Sequence, residues 1–255
     1  MKPKSFIQRF LISTLGFSRY LYLVSTYRIT TFGLGKGQDD FRYFVSLIPE
    51  KGHILDIGAN IGVLTHFLSR SKKSATIHSF EPTPFNYANL KKVVNRFKLT
   101  NTRTYNIGLG DSSSSVDMII PIINKVKKHA RCQVFDEESI YSEGERFKIN
   151  VDTLDNISFF RNFENKVSAI KIDVENYEYF VFKGAINLIR NHRPIIFCEI
   201  FPSDRKLKLI AFIESLNYNI KVLTNNRLVD FDSYANLNVN CFFMPAEDGV
   251  LKKAI

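Results

Sequence analysis

Tryptophan is absent from this 255-residue chain, and its three cysteines, Cys132, Cys198 and Cys241, stand far apart with no C-x-x-C pair among them. That scatter argues against a disulfide framework and against a paired-cysteine zinc site, and makes a reducing, cytoplasmic setting the default. No acidic residue precedes Asp39. Nor does any apolar run there reach the roughly 20 residues of a membrane-spanning helix, because Arg9 and Arg19 interrupt it. No small-residue cleavage site follows at the distance a signal peptide requires. Internal repeats and low-complexity linkers are missing too, apart from the serine run at 112–115. What remains is ordinary globular material, 45% hydrophobic and 24% charged, of a length that suits one α/β domain with a short extension. Phe is abundant at 23 residues, and most of these rings are expected in the core.

The net charge of +10 is unevenly spread. Lys2, Lys4, Arg9, Arg19, Arg28 and Lys36 make residues 1–36 purely basic, among apolar residues such as Phe10, Leu11, Leu21 and Val24. This stretch reads as a helical extension, with residues 37–255 as the main domain. Three roles stay open for it: helices packed on the core, an interfacial helix giving peripheral contact with an anionic membrane, or contact with phosphate or nucleic acid.

Beyond it, strands and helices alternate. Phe41, Phe44, Val45 and Ile48 have helical spacing stopped by Pro49, and 53–57 is a short buried strand. A glycine loop and a helix lead to a second strand at 75–80, after which Thr83 and Pro84 mark a helix start. Strands are expected at 102–107, 118–123, 147–151, 168–172, 194–199, 220–223 and 239–244, with one helix spanning about 176–190 and another lined by Leu207, Ile210 and Ile213. Such alternation predicts a doubly wound α/β fold with a mostly parallel sheet. Ligands of these sheets bind beyond the carboxyl ends of the strands, so Asp56, Glu81, Asp173 and Glu199 are expected on one edge.

The pattern D-x-G-x-x-x-G after the first strand makes a tight loop in which Gly58 and Gly62 let backbone approach a ligand. Glu81, 19 residues beyond Gly62, can accept both hydroxyls of a ribose, and Asp56 can orient a ligand ammonium. This combination suits S-adenosylmethionine. A dinucleotide site would need the G-x-G pair that this loop lacks.

From 54 to 244 the chain resembles the FkbM family of methyltransferases. The likeness lies in ILDIGANIG (54–62), FEPTP (80–84), NIGLGD (106–111), VDTLD (151–155), IKIDVENYEYFVFKGA (170–185) and RPIIFCEI (193–200). It implies a seven-stranded, Rossmann-like S-adenosylmethionine fold and methylation, usually of an oxygen, on sugars or small molecules, often in glycan or natural-product assembly. It also implies a cofactor site made by Asp56, Gly58, Ala59, Asn60, Ile61, Gly62, Glu81, Pro82, Asn106 and Ile107. Where the family usually has Gly after the D-x-E pair, Asn176 stands here, and Asn tolerates a left-handed backbone better than most residues.

Asp173 and Glu175 are the catalytic candidates, as proton acceptor or acceptor-orienting group, with Glu199 third. Against this, Asp173 could touch the cofactor's methionine end and Glu175 could cap the next helix. No third hard ligand accompanies the pair, so no metal is expected. Of the five histidines, His53 and His192 read as surface residues, His78 as a structural imidazole, and His129 as a candidate for acceptor binding. The expected partner is a small-molecule or glycan acceptor. Nucleic acid is disfavoured, since no N-P-P-Y-type motif follows Ile172, although the positive charge would attract phosphate. Methylation of a macromolecule, RNA or protein, is the second reading, and a catalytically inactive binding or assembly protein on the same fold is the third.

Overall fold

The computed structural model describes residues 3–32, 38–123, 126–137, 139, 141–162, 164–200, 202–232 and 239–246. Lys2, Lys36, Lys125 and the expected boundary at 36/37 lie outside the described residues. Helices α1 (Pro3–Leu15) and α2 (Phe17–Thr31) open the chain, followed by α3 (Asp39–Leu47), β1 (Gly52–Ile57), α4 (Val63–Ser71), β2 (Ala75–Phe80), α5 (Pro84–Arg96) and β3 (Thr102–Tyr105). The middle of the chain is strand-rich: β4 (Gly108–Leu109), β5 (Ser114–Ile123), β6 (Val126–Lys127), β7 (Gln133–Val134) and β8 (Gly144–Asp152). Next come α6 (Ser158–Arg161), β9 (Val167–Ile172), α7 (Glu178–Lys183), α8 (Ile186–His192), β10 (Ile195–Ile200), α9 (Asp204–Ser215), β11 (Tyr218–Thr224), β12 (Arg227–Asp230) and β13 (Val239–Pro245).

The main sheet runs β12-β11-β13-β10-β9-β1-β2-β3. Its β3-β2-β1-β9-β10 portion is parallel, and β13 enters antiparallel between β10 and β11. It thus has eight strands rather than the seven expected. The addition is β12, folded back on β11 through Asn225 and Asn226, both left-handed at φ 51° and 59°; such a pair forms the tight turn that hairpins favour. Neighbouring strand residues face opposite sides, so Ile54 and Phe197 enter a cluster with Phe41, Phe44 and Leu68, while Leu55 and Ile196 join α7, α8 and α9 on the other face. Burial on both faces explains why these strands read as continuous apolar runs.

The 114–152 segment forms a second sheet, with β5 antiparallel to β8, and its apolar cluster of Met118, Ile120, Ile149 and Val151 lies over the carboxyl edge of the main sheet, against Phe17 and Phe85. The single helix expected over 176–190 is two helices. Gly184 stands at the junction, where a Cβ would fall 1.9 Å from the Gly110 carbonyl oxygen, so only glycine admits the neighbouring segment there.

Helix α2 packs against α4 and α5, burying Leu21, Ser25 and Ile29. Among the described residues, no helix is long and apolar enough to cross a membrane. The surface expectation is overturned for His192, whereas His53 is only partly buried. His192 is 1% exposed, bonded to the Phe160 carbonyl and to the amide of Val167, and His53 pairs with His78 at 3.0 Å. His78 is the buried structural imidazole expected, with burial first and the charges of His53 and Arg103 next in pulling its pKa down to about 3.

Candidate functional site

The chain leaves β1 for β2 on one side and reaches β9 on the other, so the carboxyl ends of these strands open a crevice. Two cavities lie there. The first is bounded by Ile57, Gly58, Asn60, Glu81, Pro82 and Ile107 on the main-sheet side, and by Met118, His129, Cys132 and Val151 of the second sheet and its connections. The second, of about 390 Å³, lies toward α2 and α3. Asp173 lines both.

Glu81 follows the last residue of β2 and is 4% exposed. Its carboxylate accepts the amides of Asn60 at 2.8 Å and Thr83 at 3.0 Å. Burial raises its pKa, and the bonds from Thr83, Asn60 and Asn86 oppose that rise. These bonds fix the carboxylate at the cavity wall while leaving acceptor lone pairs over, as a ribose diol requires. Beside it, Asn86 Oδ1 is buried and lacks a hydrogen-bond partner. Ile107, Leu109, Met118 and Val151 supply the apolar walls that a flat base needs. An orphan acceptor, an anchored carboxylate and a greasy slot together fit a nucleoside.

The glycine loop serves this cavity differently from expectation. A Cβ on Gly58, at φ 73°, would lie 1.9 Å from the Asp173 carbonyl oxygen, and one on Gly62 would meet Leu90 of α5 at 2.9 Å. The glycines admit neighbouring protein segments at these points. Gly58, Asn60, Glu81, Pro82 and Ile107 line the first cavity, whereas Ala59, Ile61, Gly62 and Asn106 lie behind it. The Ala59 amide bonds the Phe80 carbonyl at 2.9 Å, and Asn106 Nδ2 ties down the carbonyls of Glu81 and Pro82 at 2.9 and 3.0 Å.

Asp56 is fully buried and reaches neither cavity. Its Oδ2 accepts the Thr65 hydroxyl at 2.6 Å, and Lys171 Nζ stands 3.3 Å from Oδ1. Direct contact with a ligand ammonium is therefore replaced by an internal pairing. Lys171, 3% exposed and next to last in β9, also donates to the Gly58 carbonyl at 2.9 Å and lies 4.0 Å from Asp173. Burial works to lower its pKa, but the carboxylates of Asp56 and Asp173 outweigh burial and raise it. Sequence reading missed Lys171, although a charge inside an otherwise apolar strand was its signal.

Glu175 and Asn176 both have left-handed backbones, at φ 55° and 73°. Asn176 takes the conformation that its place in the D-x-E-N run required. Glu175 does not cap the following helix. The N-cap is Tyr177, without a side-chain bond, and it is Glu178 Oε1 that accepts the Val174 amide at 3.0 Å. Glu175 instead lines the first cavity beside Asp173. Burial, then the charges of Asp173, Glu199 and Glu178, raise its pKa to about 8, against a smaller opposing effect of Arg131. A carboxyl that ionises there is matched to proton transfer near neutrality. His129 also lines this cavity, 3.4 Å from Asn60 Oδ1, and burial with the charges of Arg28 and Lys128 lowers its pKa to about 4. Glu199 lies on the second cavity. Among the described residues, no three His, Cys, Asp or Glu side chains are grouped to hold a metal ion.

The sequence pattern of the methyltransferase FkbM domain matches residues 56–220. Methyltransferase 1 of Beauveria bassiana (strain ARSEF 2860) is 24% identical over 153 residues, covering 56% of this chain and 61% of the relative. Methyltransferase sdnD of Sordaria araneosa is 24% identical over 208 residues, covering 71% and 79% respectively. Among solved structures, methyltransferase FkbM of Methylobacillus flagellatus KT is 16% identical with a TM-score of 0.50, over 88% of this chain and 54% of that one. This chain thus spans about three fifths of the first relative and about half of the solved structure. At that identity, the structural likeness speaks for the fold.

Proposed function

We propose that this chain, which belongs to the methyltransferase FkbM domain family, transfers a methyl group from S-adenosylmethionine to a hydroxyl of a sugar, glycan or other small molecule. The observation that carries the reading is the junction at Asp173. There the cavity lined by Glu81 and Ile107 meets a larger one, and Glu175, a carboxyl whose pKa is raised to about 8, lines the first beside Asp173. When bound, the cofactor supplies an electrophilic methyl group on a sulfonium. The protein's part is to hold the acceptor oxygen in line, exclude water and receive a proton. Glu81 holds the nucleoside by its ribose. The second sheet closes over the base. Glu175 accepts the hydroxyl proton at its carboxylate, which the neighbouring Asp173 and Glu199 make more basic.

Calorimetric titration should give micromolar binding of S-adenosylmethionine, with Glu81→Ala losing most of it; unchanged binding in that variant removes Glu81 from the ribose. The acceptor class is tested by incubating the protein with labelled S-adenosylmethionine and fractionated cell extract. Mass spectrometry should then find the label as an O-methyl group on a small molecule or glycan. Label on RNA or protein would refute that class.

A further inference from the structure

Helix α2 belongs to the N-terminal extension for which sequence left three roles open, and it is tied to the glycine loop through α5. Asn89 Nδ2, from α5, donates both to Ser25 Oγ at 3.1 Å and to the Ile61 carbonyl at 3.0 Å. Ser25 and Asn89 are 0% and 2% exposed, so this link is part of the packed interior. One turn beyond Ser25, Arg28 reaches the wall of the second cavity, and its charge is also felt by His129 on the first. Arg28 thus lines the second cavity within electrostatic reach of the first.

The second cavity is polar at its ends and aromatic between them. Asp173 and Glu199 lie on one side, Arg28 on another, and Phe32, Phe41 and Phe197 form apolar wall. Its other cation, Lys171, is committed to Asp56, Asp173 and the Gly58 carbonyl. Arg28 makes no hydrogen bond or ion pair among the described residues. A cavity with an uncommitted guanidinium and a carboxylate is complementary to a zwitterion, the arrangement at the end of an α-amino acid. Because Asp173 also borders the nucleoside cavity, one ligand can lie across both.

We infer that the second cavity receives the amino-acid end of the cofactor, with Arg28 binding its carboxylate and Asp173 facing its ammonium. This rests on the cofactor reading above. Arginine suits the task because its planar fork pairs with both oxygens of a carboxylate. Helix α2, within the basic segment, is thereby a component of the cofactor site, and its positive charge has a ligand to meet.

The test compares two probes that share the nucleoside and thioether: S-adenosylhomocysteine, which has the amino-acid end, and 5′-methylthioadenosine, which lacks it. Calorimetry on the full chain should show Arg28→Ala weakening S-adenosylhomocysteine by about ten- to a hundredfold, the range for a lost charged hydrogen bond. Binding of 5′-methylthioadenosine should stay as in the native chain, and Arg28→Lys should recover part of the lost affinity. Equal S-adenosylhomocysteine affinity in native and Arg28→Ala proteins overturns the assignment of Arg28, as does an equal loss for both probes. If neither probe binds the native chain, the cofactor reading itself falls.

Discussion

Glu175 is held where neither its charge nor its backbone is comfortable. Its φ of 55° is left-handed, and burial, followed by the charges of Asp173 and Glu199, raises its pKa to about 8. Above its ordinary value near 4.5 and below about 8, the unfolded chain ionises at this position while the folded chain keeps the proton. Stability present at low pH is therefore lost as pH rises through that window. Glu175→Gln should remove the loss, so its thermal midpoint, compared with the native chain, should gain more at about pH 8 than at about pH 5. The same variant should lower methyl transfer by about a hundredfold or more and abolish the rise of rate with pH. Melting curves and a pH–rate profile check the two halves. A more stable but inactive variant is the expected result.

At the scale of elements, the α2–α5–loop contact is the joint on which the cofactor edge depends. Asn89→Ala removes the donor shared by Ser25 and the Ile61 carbonyl, and should cost about 1–3 kcal/mol, read as a lower denaturant midpoint. Limited proteolysis should then cut α2 ahead of the main sheet. The parallel strands and the edge they share were readable from sequence because their runs are apolar, short and bounded by turn residues; β2 falls on the residues expected for it. Other elements were hidden for physical reasons. The break between α7 and α8 depends on a carbonyl 74 positions away, at Gly110, which local periodicity does not register. The hairpin to β12 was signalled by Asn225-Asn226, but its strand is short and largely exposed. Glu81 and the glycine loop were legible through spacing. Asn86, Lys171 and Arg28 were not, because only the folded chain brings them to the same edge.

Across the whole molecule, the site is an assembly of three layers: the main sheet below, the second sheet over the first cavity, and α2 with α3 over the second. Charge follows the same division. The acids of the strand ends, Glu81, Asp173, Glu175 and Glu199, line the crevice, while the basic α2 brings Arg28 to its rim. The position of β13 between β10 and β11 matters for how such a molecule comes into being. Synthesis proceeds from the amino end, so both neighbours of that slot emerge before the strand that fills it. Until then β10 and β11 each offer an open row of backbone amides and carbonyls, a surface prone to pairing with another chain. A chain shortened from Val239 onward should therefore sediment as aggregate, while the full chain stays dispersed. Closure of the sheet is thus a late event in the life of each molecule, and the interval before it is when a nascent copy most needs shelter from its neighbours.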